Sequence, residues 1–280
     1  MTSPVPNRRG PRVSAVTVVG VATLVFIIFP MAVVAAASLD SSEFFTFPPN
    51  DVSLTWFTRL LSDERWRSSL ALSLQIAALA AVAATVVGVL AGLAIARMTR
   101  SLRIAVLPVV VSPLVIPAIV LAISFYRIVL QLDLVGRLAT FAAANALLTT
   151  PLVAILVAGA ALRVDERLEF ASLSCGASRL TTLRRITIPA VAPTALAGGV
   201  FAFIFTMGEV VMSIFLVAPA RTPVAVRMFL EARQGPAPLV TAGSTILIAA
   251  SIVVVVVGSL IGRRTTAEPA NIAVVENLSR

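Results

Sequence analysis

The chain has 280 residues, 59% of them hydrophobic and 12% charged, and a mean hydropathy of +1.01. That balance excludes a soluble globular domain and marks a polytopic helical membrane protein. All 22 basic residues are arginine and there is no histidine, which excludes a phosphate-binding Gly-Lys-Ser/Thr loop, a Schiff-base lysine, and any histidine metal site or general base.

Six apolar spans follow in chain order, at roughly 14–38, 69–96, 104–126, 138–162, 190–217 and 239–262. The first ends in AVVAAAS, which resembles a leader cleavage site. Its apolar run is too long for a leader, so an uncleaved anchor is expected. The loop from Asp40 to Ser68 holds two prolines, Trp56 and Trp66, whose rings are expected at the membrane interface. Span three carries Pro108, Pro113 and Pro117. Proline removes helix hydrogen bonds and bends the helix. Bent helices in membranes line cavities, so Pro113 and Pro117 are candidate pathway residues. Tyr126 and Arg127 end that span as interface anchors.

Asn145, Thr149 and Thr150 in span four, and Thr206 in span five, can hydrogen-bond to neighbouring helices or to a solute. Glu209 is the one acidic residue inside an expected span. A carboxylate facing lipid is costly, so Glu209 either serves substrate or a gate, or hydrogen-bonds to a partner chain. The organisation is a tail over 1–13, a six-helix domain over 14–262, and a polar tail over 263–280 that is expected to be poorly ordered.

The net charge of +9 does not point to nucleic acid, because the arginines flank the spans. With the N-terminus inside, the inner segments carry fourteen arginines and the outer ones eight. The positive-inside rule then places both termini and the 163–189 loop in the cytoplasm.

That loop holds a charged, helix-prone stretch, EFASLSCGASRLTTLRRITIP, from Glu169 to Pro189. Leu168 to Cys175 is a helix-compatible run. Gly176 can turn the chain because it has no Cβ. Ser178 can cap a second run. Two short helices bent at a glycine make a rigid knob, suited to touching a partner. The single Cys175 is a small loop residue that cannot form an internal disulfide.

These residues resemble the EAA loop of permease subunits of ATP-binding-cassette importers. The family pattern is Glu-Ala-Ala, three residues, Gly, nine residues, then Ile-x-Leu-Pro. Gly176 is followed by nine residues and then Ile186, Thr187, Ile188 and Pro189, while Ala171 and Ser172 fill the small positions. Counting back from Gly176, the family glutamate position holds Phe170, and Glu169 lies one residue earlier. On a helix that shift rotates a side chain by about 100°. SLTWFTRLLSD (Ser53 to Asp63), FAFIFTMGEVVMSIFLVAPA (Phe201 to Ala220) and the following TPVAVRMF also look like the polyamine branch.

The resemblance implies an all-α inner-membrane permease with six transmembrane helices, both termini inside, and a cytoplasmic coupling loop. It implies an ATP-binding-cassette ATPase dimer, a second permease subunit and an extracytoplasmic solute-binding protein as partners. ATP and magnesium would be bound by the ATPase, with no cofactor in this chain. Leu168, Phe170, Ala171 and Leu173 would enter the ATPase cleft, and Arg179, Arg184 and Arg185 would meet its rim or lipid phosphates. The expected solute is a polyamine-like amine or a zwitterion such as an opine or aminophosphonate. Gly208 stands where polyamine permeases carry an acid, and Ala118 replaces a further family acid in span three. A permease for a metal ion or oxyanion is the alternative. A gradient-driven carrier would call for more intramembrane charge. A membrane enzyme would need a catalytic cluster, and a simple anchor leaves the prolines and Glu209 without a role.

Overall fold

The computed structural model describes residues 15–42, 49, 51–218, 221–235 and 238–266. The expected N-terminal tail lies outside the described residues, and of the expected tail over 263–280 the first four residues continue the last helix to Thr266 while the rest lies outside them. Among those described, the regular elements are helices, with one isolated bridge between Ala218 and Arg221. Five helices are long and apolar enough to cross a membrane: α1 (Ala15–Ala37), α3 (Glu64–Arg97), α6 (Leu138–Ala161), α9 (Ile188–Gly208) with its lead-in, and α11 (Pro238–Thr266). A sixth span is a broken pair, α4 (Arg100–Val115) and α5 (Ala118–Gln131), bent by 93°.

The break follows from the prolines. Pro117 has no N–H to donate and occupies the position before α5, after α4 has ended at Val115. Pro108 and Pro113 lie within α4. The expected bend in span three is therefore present.

The centre is α3 packed on α6, with α9 against both. Buried Ala77, Ala80, Ala84, Gly88 and Gly92 run along one side of α3. Lipid tails are as apolar as the helices, so close backbone approach through small residues does the work of association. A Cβ on Gly88 would lie 2.6 Å from Val153 Cβ, and one on Gly92 2.6 Å from the Ala154 carbonyl oxygen. Val153 also rests against Gly198 of α9, where a Cβ would meet it at 3.2 Å. One α6 valine thus sits in a notch made by two other helices.

Two expectations about aromatics are corrected. Trp56 and Trp66 are buried rather than displayed at the interface. Asp63 accepts a hydrogen bond from the Arg65 N–H at 2.7 Å and starts α3 five residues before the expected span. That carries Trp66 into the bundle. The short α2 (Thr55–Ser62) folds its Trp56 and Leu60 onto Trp66, Val224 and Ala242. Tyr126 likewise packs inward on Phe215, ring centroids 6.3 Å apart, because α5 continues to Gln131.

Span five also differs. It begins at Arg179, not at 190, as α8 (Arg179–Thr182) runs through a π-turn (Leu183–Thr187) into α9 (Ile188–Gly208). The Ile188 N–H reaches back to the Leu183 carbonyl, which gives the wide turn. Pro189, a helix-start residue by type, lies in the first turn of α9. At the other end α9 stops at Gly208, so Glu209 stands just outside the helix rather than within it.

Candidate functional site

Two places bring the sequence candidates together. The first is the knob. α7 (Glu166–Ser174) is capped by Asp165, whose carboxylate accepts from the Arg167 N–H at 2.9 Å. Gly176 turns the chain at φ +84°, a left-handed conformation that suits glycine. The Gly176 and Ala177 N–H groups close the end of α7 on the carbonyls of Leu173 and Ser172. Ser178 accepts from the Thr181 N–H at 3.2 Å, the expected cap. The Ser172 and buried Thr182 hydroxyls, 2.9 Å apart, tie the two helices together. Ile186 is half-buried, while Ile188 and Pro189 are exposed at the entry to α9.

The knob displays apolar side chains. Leu168, Phe170 and Leu180 are each more than half exposed, and Ala171 and Leu173 are exposed too. Glu169 turns the other way. Its Oε1 accepts from Arg97 Nη2 at 3.2 Å and from the Thr187 hydroxyl at 2.5 Å. The one-residue shift thus has a visible consequence, with the acid bound to Arg97 and Thr187 and Phe170 largely exposed beside it. Sequence reasoning missed Arg97 and Thr187. Arg97 is 72 positions from Glu169, and no local pattern marks the pair.

The second place is an open cavity of about 760 Å³ at the break between α4 and α5, lined on the other side by the end of α9. Pro113, Pro117 and Glu209 all line it, as do Ala118 and Gly208. Thr206 is buried and is not in the wall. Asn145, Thr149 and Thr150 donate to carbonyls four residues back in α6, while the buried Asn145 Oδ1 has no partner.

Glu209 is buried, and its carboxylate is occupied. Oε1 accepts the Met212 N–H at 2.7 Å, and Oε2 accepts the Ser213 N–H and hydroxyl, both at 3.0 Å. The chain after α9 must turn, and the free N–H groups of the short helical turn Ser213–Leu216 need an acceptor away from water. Glu209 supplies it from within its own chain.

Residues 84–266 match the family described as the inner membrane component of binding-protein-dependent transport systems. The chain belongs to that family. This inner membrane component is similar to the putrescine transport system permease protein PotI of Escherichia coli, 28% identical over 234 residues, spanning 80% of this chain and 82% of PotI. It is also similar to the spermidine/putrescine permease PotC of that organism, 27% identical over 241 residues, 86% and 91% of the two chains. In fold it matches a chain of a bacterial ABC transporter that imports alginate, with a TM-score of 0.69 at 16% identity, covering 89% of this chain and 95% of that one. The inner membrane component is thus a multi-pass permease with the fold of an ABC importer subunit.

Proposed function

We propose that this permease forms the translocation path of an importer driven by a separate ATP-binding-cassette ATPase. The observation that carries the reading is the cavity where Pro113, Pro117 and Glu209 meet at a broken span. Non-helical backbone at membrane depth is tolerated where it lines a cavity. Closure of the ATPase dimer would push the apolar knob and rock α4, α5 and α9 between two openings. The knob lies in the cytoplasm, with both termini inside, as the arginine distribution supports. ATP and magnesium bind the ATPase, a second permease completes the path, and a binding protein outside delivers the solute.

The solute is a small amine or zwitterion, in keeping with the putrescine and spermidine named for PotI and PotC. The cavity narrows that class. Ala118 and Gly208 supply no charge, and three of the lone-pair positions of Glu209 are already engaged. An ammonium taken out of water needs an acceptor, so a solute with one ammonium group suits this wall better than a polycation. Pull-down of the tagged chain from native membranes, followed by uptake assays with the co-purified complex, tests both points. Recovery with an ATPase and a second permease is expected. Recovery alone in several detergents would overturn the reading, and spermidine taken up in preference to mono-ammonium zwitterions would overturn the narrowing.

A further inference from the structure

We propose that Glu169 is a positioning residue that transmits knob movement into the bundle through Arg97 and Thr187. The inference rests on the reading of residues 163–189 as an ATPase-coupling loop, and it names the contact through which that loop acts.

The geometry has three parts. Both side-chain hydrogen bonds that tie α7 to α3 and to the start of α9 end on a single oxygen, Glu169 Oε1. Arg97 is the last residue of α3, the helix at the centre of the bundle. Thr187 closes the π-turn from which α9 continues to the cavity at Gly208 and Glu209. A displacement of α7 therefore pulls on the two helices that pack against one another and against α6.

The α3 end of the link is fixed in place. Arg103 of α4 donates to the carbonyls of Ile95, Ala96 and Met98, between 2.9 and 3.1 Å. These bonds hold the main chain on either side of Arg97 to α4, the first half of the broken span. Arg97, Glu169 and Thr187 line an open cavity of about 480 Å³ together with Leu93, Ala161, Leu162 and Phe170. The knob itself is stiffened by the Ser172–Thr182 bond, so it moves as a unit.

A purely structural role accounts for this pair poorly. The Arg97 side chain is 53% exposed and that of Glu169 30%. Ion pairs so open to solvent add little to folding stability. Removing the pair should leave the fold and the assembly in place while loosening the link.

The test uses the whole complex, purified with its own ATPase, second permease and binding protein, in lipid nanodiscs. Val211, in the wall of the upper cavity, is changed to cysteine in a Cys175→Ser background. Labelling at position 211 by a membrane-impermeant maleimide is read by mass spectrometry, with and without ATP and vanadate, alongside ATP hydrolysis. Coupling energies of the usual size predict about a fivefold or larger change in labelling on nucleotide trapping. Glu169→Leu, which removes the accepting oxygen, and Arg97→Met are each expected to abolish that change while ATP hydrolysis continues. The exchange of charges, Arg97→Glu with Glu169→Arg, is expected to restore part of it. Thr187→Val removes the second leg and gives an independent reading if one variant assembles poorly. A wild-type response that survives in Glu169→Leu and Arg97→Met overturns this proposal alone. No nucleotide response in the wild-type complex overturns both the coupling reading and the proposal.

Discussion

Glu209 holds Ser213 by two hydrogen bonds, from its main-chain N–H and from its hydroxyl, both at 3.0 Å. That relationship ends α9 and turns the chain beside the cavity. The same carboxylate also accepts the Met212 N–H.

Glu209→Ala would leave two main-chain N–H groups buried without partners. Each such loss costs about 1–3 kcal/mol, so a fall of about 3 kcal/mol in stability is expected. Glu209→Gln keeps one carbonyl oxygen and should lose about half as much. Thermal unfolding in detergent ranks the three proteins. Equal melting of wild type and Glu209→Ala would show that the carboxylate does not hold this turn.

The contact between α3 and α6 makes a sharper steric prediction. A Cβ on Gly92 would meet the Ala154 carbonyl oxygen at 2.6 Å and Val157 Cβ at 2.8 Å, and the first of these is backbone. Gly92→Val should force the helices apart and cost about 1–3 kcal/mol. Gly159→Ala, on the same pair of helices, meets nothing within 4 Å. Titration with a denaturing detergent should weaken the first variant and spare the second.

At the knob, the φ of +84° at Gly176 sets a ranking. No neighbour lies within 4 Å of a Cβ there, so the cost is conformational rather than steric. Asparagine tolerates this region better than alanine, and β-branched residues tolerate it least. Uptake should fall in the order Gly, Asn, Ala, Val, with membrane insertion unchanged. Gly176→Trp, inserted correctly, should abolish uptake. A flat series would mean that the turn does not matter to transport.

Glu231 lies in α10 (Val224–Ala232), outside the spanning helices. Burial pushes its carboxyl above the ordinary 4.5, against the pull of Arg227 and Arg65. A carboxyl whose folded pKa is raised favours the folded state at acid pH, and that contribution is lost as pH rises through the folded value. Glu231→Gln should therefore melt higher than wild type at neutral pH, and the gap should close in acid. A gap of the same size at both ends would rule out this titration as its cause.

Much of the fold is legible in the sequence because apolar length is a strong signal. The expected spans 14–38 and 138–162 correspond to α1 at Ala15–Ala37 and α6 at Leu138–Ala161. The break in span three was marked by Pro113 and Pro117, and the knob by Gly176 and Ser178. The ends of α9 were not legible. Beyond Gly208 the chain stays apolar, and what ends the helix is a carboxylate capturing N–H groups that come later. Before Pro189, a π-turn carries the helix on where a proline suggests a boundary. Trp56 and Trp66 are amphipathic enough for an interface, and only the early start of α3 at Glu64 and the folding back of α2 send them inside. The Glu169–Arg97 pair joins distant parts of the chain, so only the folded arrangement reveals it.

The central claim is that the apolar face of the knob docks on an ATPase. A photo-cross-linking residue in place of Phe170, whose side chain is largely exposed, tests it in native membranes. The same residue at Val109, an exposed position on α4, serves as the control. Mass spectrometry identifies what is captured. The account predicts an ATP-binding-cassette ATPase attached through position 170 and none through position 109. Capture of lipid alone at position 170, with no ATPase, would contradict it.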